Sequence, residues 1–103
     1  MTMNDRNLFA GLIRLHLLHH AAEEPIFGQA MIDELGRHGY RLSAGTLYPI
    51  LHGMERQGFL KSRLTLSGGR NRRVYRITPA GRKALIIART RVQELFGEMF
   101  EHD

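Results

Sequence analysis

Ten basic residues fall between Leu60 and Arg91, and that window contains no Asp or Glu. Three of them, Arg70, Arg72 and Arg73, crowd behind the turn residues Ser67-Gly68-Gly69. Guanidinium groups offer fixed forks of N–H donors that match phosphate oxygens, so this grouping is chemistry for a polyanion. The formal charge of +5 and the pI near 10.4 point the same way. Distribution says more than the total. Acidic residues gather mainly in Glu23–Glu34 and Glu94–Asp103, a segregation that suits phosphate binding at one face.

A second group is His16, His19 and His20. On a helix His16 and His20 stand at i, i+4 and share a face. Two imidazoles at that spacing hold zinc or a similar divalent metal when a third ligand arrives. Glu94, Glu98 or His102 from the last helix of a second subunit is the expected third ligand. The plainer alternative is a set of histidines satisfied by hydrogen bonds or by water.

Catalysis finds little support. The chain has no cysteine, hence no thiol nucleophile, disulfide or thiolate metal site. Ser43 and Ser67 lie in cap and turn contexts without an evident base. Glu23-Glu24 and Asp33-Glu34 are sequence neighbours and do not converge on one helix face. No Gly-rich phosphate loop opens a helix. The expectation is a protein that is not an enzyme and requires no cofactor.

The elements that must position these residues follow from periodicity. Leu8–Ala22 has apolar rows at Leu8, Leu12, Leu15, Leu18 and at Phe9, Ile13, Leu17, which predicts a helix buried on more than one side, one of them facing another subunit. Ile26-Phe27 makes a very short strand. A second helix runs from about Gly28 to His38, with Gly39 as its left-handed cap. Ser43 is the expected N-cap of a third helix, its hydroxyl accepting a backbone N–H. That helix has an inner stripe of Leu47, Ile50, Leu51 and Met54 and an outer face of Thr46, Tyr48, Pro49, His52 and Arg56. Lys61–Leu66 and Arg73–Thr78 read as antiparallel strands around a flexible tip at Ser67–Asn71, with Leu60, Leu64 and Leu66 on the apolar side. Thr78-Pro79 starts a last helix to about Glu101. Its seam of Leu85, Ala88, Val92, Leu95 and Met99, beside Phe96 and Phe100, exceeds the needs of a small body, and pairing with a second chain is its simplest use.

At 103 residues, 43% of them hydrophobic, the chain is expected to be a single unit over 1–103. Nothing approaches the run of about 18 apolar residues that crosses a membrane. The N-terminus lacks the pattern of a secretory signal, so no membrane role and a cytoplasmic location are expected.

The run Ser43-Ala44-Gly45-Thr46-Leu47-Tyr48-Pro49-Ile50-Leu51, with Glu55, Gly58 and Leu60 after it, resembles the recognition-helix signature of the PadR family of bacterial transcription regulators. Phe27-Gly28, the run Gly68-Gly69-Arg70 before Val74–Thr78, and Ala80-Gly81 resemble that family's other marks, in order and spacing over nearly the whole chain. The length is similar to its compact subgroup, which has a single C-terminal dimerisation helix. Three positions depart from the pattern: His52-Gly53-Met54 replaces a basic residue and Leu, Val74 replaces a common tyrosine, and no Trp is present to stack on planar drugs.

The resemblance implies a mainly α fold with a small β-hairpin (α+β): a winged helix-turn-helix over 5–78 and a dimerisation helix over 79–103. It implies a homodimer formed through the first and last helices, acting as a repressor on a pseudo-palindromic operator in double-stranded DNA. Phosphate contacts are then expected from Arg70, Arg72 and Arg73 with Ser43 and Tyr48, and base contacts from Thr46, Pro49 and His52. The alternative for Arg70 or Arg72 is entry into the minor groove, and for Tyr48 it is a half-buried position that supports the turn. The releasing effector is either a divalent metal at His16 and His20 or a small organic molecule between subunits, among Phe9, Phe96, Met99 and Phe100. A protein-binding winged helix that does not touch DNA is the rival from another class.

Overall fold

The computed structural model describes residues 3–101. Its elements run α1 (Met3–Glu23), β1 (Ile26–Phe27), α2 (Gly28–Arg37), α3 (Ala44–Arg56), β2 (Leu60–Ser67), β3 (Arg70–Ile77) and α4 (Pro79–Phe96), closed by a π-helical turn over Gly97–Glu101. The strands form one antiparallel sheet in the order β1-β3-β2, a winged α+β arrangement with helices on the core side.

Apolar spacing explains which faces turn inward. Ile13, Leu17 and Leu18 of α1 meet Met31 and Leu35 of α2, Leu47, Leu51 and Met54 of α3, and Leu60 and Tyr75 of the sheet in one buried cluster. In the other row of α1 only the N-terminal half lacks such cover: Leu18 is buried and Leu15 half-buried, but Leu8 is 74% exposed and Leu12 45%. One chain thus buries one side of the helix and leaves Leu8 and Leu12 open, on the side expected to face another subunit.

Chain reversals follow local chemistry. Gly39 takes φ +88° after α2, where Tyr40 N–H donates to Leu35 O at 2.9 Å. This left-handed residue lets the orphan carbonyls of the helix end be met. Gly58 does the same after α3 with φ +86°. Thr78 caps α4, accepting a hydrogen bond from Gly81 N–H at 2.9 Å, with Pro79 in the first turn. A side chain on Gly81 would strike the Phe59 carbonyl, so the start of α4 lies directly on the turn before the wing.

The hairpin differs from its expected form. Its turn is only Gly68-Gly69, both left-handed at φ +57° and +77°, and the ladder continues to the Ser67–Arg70 pair. Two left-handed glycines give a tight turn whose twist matches the strands, so no flexible five-residue tip is needed. The ribbon also runs past the core: Leu60 is buried, but Leu64 is 59% and Leu66 75% exposed. The last helix bends from its expected regular course as well, changing to a π turn after Phe96.

Candidate nucleic-acid interface

α3 offers an exposed face beside the wing. Pro49 and His52 are exposed, and Thr46 and Tyr48 are half-buried, while Leu47, Leu51 and Met54 fix the helix from below. Pro49 sits in the sixth helical position, where it leaves a carbonyl without its helical donor yet does not end the helix. The His52 ring meets the buried Tyr75 ring edge-on at 6.3 Å, which limits its orientation. The Tyr75 hydroxyl has no hydrogen-bond partner among the described residues, and burial pushes its pKa up.

Ser43 occupies the N-cap of α3 with extended backbone, and its carbonyl accepts from Leu47 N–H at 2.9 Å. Its hydroxyl does not cap the helix as expected. It points instead to the Thr46 hydroxyl, 3.4 Å away, so the first-turn N–H groups have no side-chain partner. Tyr48 also has a role not evident from its position alone. A Cβ at Gly28 would run into the Tyr48 ring and hydroxyl, so α3 can approach the start of α2 only because residue 28 has no side chain.

The wing carries its arginines on two faces. Arg70 and Arg72 share one face with Arg76 of β3 and, by register, with Lys61 and Arg63 of β2. Arg72 lies over the Phe27 ring at 5.7 Å, a cation–π contact joining the wing to β1. Arg73 is on the opposite face and donates to Ser62 Oγ at 3.1 Å. Ser62 in turn donates to Glu55 Oε1 at 2.7 Å from its hydroxyl and to Oε2 at 3.0 Å from its backbone N–H. These bonds to Ser62, with Arg73 nearby, lower the Glu55 pKa. A chain of hydrogen bonds thus ties the last turn of α3 to the wing. Arg63, Glu55 and Ser62 were not among the expected site residues; Arg73 was, but not as the partner of Ser62. Strand alternation marks Arg63; nothing local marks the chain.

The histidines gather differently from expectation. His16 stacks on His38 at 4.8 Å and lies 6.4 Å from His20, while His20 Nε2 faces Glu34 Oε2 at 3.7 Å. His38 bonds the same carboxylate oxygen at 2.8 Å. The neighbours of His16 and His20 therefore include Glu34 of α2 and His38 at its C-cap, in the same chain. His102 lies outside the described residues. Burial, then the nearby His38 and His20, lower the His16 pKa, and the His38 hydrogen bond lowers that of Glu34. The apolar residues expected to line an organic-ligand pocket between subunits lie in two places on the single chain. Phe9 packs on Tyr40 at 6.0 Å, whereas Phe96 and Phe100 pair at 5.1 Å on the exposed end of α4.

The family model of the transcriptional regulator PadR-like family matches residues 17–86, from mid-α1 through the wing into α4. The chain belongs to the PadR family. It is 53% identical over 87 residues to the transcriptional regulator Rv3488 of Mycobacterium tuberculosis, covering 84% of this chain and 81% of that protein. Its fold superposes on a PadR family transcriptional regulator from Eggerthella lenta with a TM-score of 0.77 at 30% identity, covering 94% of this chain and 88% of the other. A Streptococcus transcriptional regulator aligns with a TM-score of 0.80, covering 95% and 94%; at 18% identity it speaks to the fold alone. The PadR fold is a DNA-binding winged helix of transcription regulation, not an enzyme scaffold. Among the described residues no helix is long and apolar enough to cross a membrane.

Proposed function

We propose that this PadR chain is a homodimeric, sequence-specific repressor that holds a pseudo-palindromic operator in double-stranded DNA and is released by a small effector. The observation that carries the reading is the Glu55–Ser62–Arg73 chain, which fixes an arginine-bearing wing to a helix whose outer face shows Thr46, Pro49 and His52. A helix reads base edges in a major groove only if its roll and depth are set, and contacts to phosphate set them.

In this reading Thr46 offers a methyl to thymine, Pro49 an apolar surface and His52 a ring nitrogen to a base or phosphate. Ser43 and the free N–H groups of the first turn meet a phosphate at the positive end of the helix. Tyr48 acts chiefly from beneath, holding α3 against Gly28. Arg70, Arg72 and Arg73 supply phosphate affinity, with Arg63 added from the facing strand. Two reading heads then meet successive half-sites, their spacing set by α1 and α4. A winged helix that binds only proteins has no need for a wing with this density of cations.

Fluorescence anisotropy on DNA from the chain's own promoter, across a salt series, tests the proposal. Arg70→Ala, Arg72→Ala and Arg73→Ala together should weaken binding and lower the log–log salt slope by roughly two to three, at about 0.9 per phosphate contact. An unchanged affinity and slope would remove the wing from the interface. No binding at moderate salt would favour the protein-binding rival.

A further inference from the structure

We propose that His20, Glu34 and His38, with His16 beside them, form a site for one divalent cation of the zinc class that links the first helix to the helix-turn-helix. As a binding site it stands on its own geometry; as the effector site it rests on the repressor reading above. Two donors come from α1, His16 and His20 one turn apart, and two from the end of α2, Glu34 in its last turn and His38 at its C-cap. Their focus is one atom, Glu34 Oε2, which lies 2.8 Å from His38 Nε2 and 3.7 Å from His20 Nε2. A tetrahedral ion with bonds of about 2.0–2.1 Å places its donor atoms about 3.3 Å apart. The two separations lie on either side of that value.

The outer partners are those such a site needs. Arg37 holds the other Glu34 oxygen at 2.6 Å, and Glu23 stands 3.6 Å from His20 Nδ1, leaving Nε2 turned toward Glu34. Groups that orient a ligating histidine or carboxylate in this way raise metal affinity. His16, stacked against His38, is the fourth nitrogen donor at hand. Nitrogen and oxygen donors without a thiolate suit zinc, cobalt or nickel.

A competing set, His19, His20 and Glu23, brings its donor atoms within 4.8 Å of one another, whereas the set on Glu34 reaches that spacing only when its imidazoles turn inward around the carboxylate. The competing set lies on a single helix, and its His19 and Glu23 side chains are 58% and 62% exposed. The set built on Glu34 spans two elements, and its carboxylate is more enclosed than Glu23, at 24% exposed, although the His38 side chain is 47% exposed. It also joins α1, which carries the exposed Leu8 and Leu12, to α2, which leads directly into α3. An ion there would change the angle between the apolar face and the reading helix, the kind of small helix shift that alters spacing on DNA.

The test uses the full chain, free of tags and stripped with chelator. Cobalt titration followed in the visible, with zinc competition by calorimetry, should show one ion per chain with tetrahedral cobalt bands. His20→Ala, His38→Ala and the near-isosteric Glu34→Gln should each weaken binding more than about tenfold, with unchanged circular dichroism. His19→Ala should leave it unchanged. Binding that survives Glu34→Gln, or that is lost in His19→Ala, overturns the site. Saturating zinc should lower operator affinity about tenfold in the wild type and not in Glu34→Gln. Zinc bound through these residues without a change in operator affinity overturns the effector role. A chain that binds zinc here but no operator keeps the site and sinks the repressor reading instead.

Discussion

Glu55 shows how one carboxylate ties recognition to the wing. It accepts both donors of Ser62, and Arg73 reaches the same hydroxyl from the facing strand. Hydrogen bonds to a charged group contribute more than neutral ones, although partial exposure reduces the effect, so Glu55→Gln should cost about 1 kcal/mol of stability at neutral pH. The folded pKa of Glu55 is depressed below the ordinary 4.5 by those bonds. A depressed carboxylate contributes stability that is present above the unfolded pKa and is lost as pH falls through the folded value. Urea midpoints should therefore fall on acidification below pH 4.5 more steeply in the wild type than in Glu55→Gln. Parallel profiles would mean that the bond pattern has no energetic weight. The variant's operator affinity should fall further than its stability, because a loosened wing no longer sets the depth of α3.

At the scale of elements, the wing depends on its turn rather than on a core. Gly68 and Gly69 both have positive φ, and Leu64 and Leu66 beyond the body have nothing packed over them. Gly69→Val places a β-branched residue where left-handed backbone costs about 1–2 kcal/mol or more, whereas Gly68→Asn is tolerated. The Gly69→Val loss should be local. Amide exchange should rise across Leu64–Arg73 and operator affinity should fall, while the core of α1 to α3 keeps its protection. Equal loosening throughout would show the hairpin to be part of the cooperative unit. The elements themselves were legible because periodicity and punctuation agree: Thr78-Pro79 opens α4, and Gly39 and Gly58 close α2 and α3. The hairpin tip was misread because Ser67, Arg70 and Asn71 have loop composition, yet only two residues turn. Alternation put Leu64 and Leu66 on an apolar face without saying whether anything stood opposite it. What joins distant elements had no local signal. Tyr48 meets Gly28 across twenty residues, and Glu34 and His38 reach His16 and His20 only after α2 packs on α1.

The whole molecule is more extended than one core requires. Its Cα radius of gyration is 14.7 Å, against about 13 Å for a compact chain of this length, and its longest dimension is 56 Å. The excess comes with apolar surface: Val92, Leu95, Phe96, Met99 and Phe100 of the last helix are all 46% or more exposed, as is Leu8 of α1. Exposed apolar surface on that scale is of the kind that marks an interface, and in the proposed homodimer a second copy offering the same two helices would cover it by twofold symmetry. Phe96→Glu with Met99→Glu should then yield monomers by sedimentation velocity at concentrations where the wild type is a dimer. Both side chains are exposed in the single chain, so the helical circular dichroism should remain and unfolding is separable from dissociation. Operator affinity should drop toward that of one half-site, because the second reading head no longer binds as part of the same particle. If the double variant sediments as the wild type does, the end of α4 lies outside the interface. Leu8 and Leu12 then become the surface to change next.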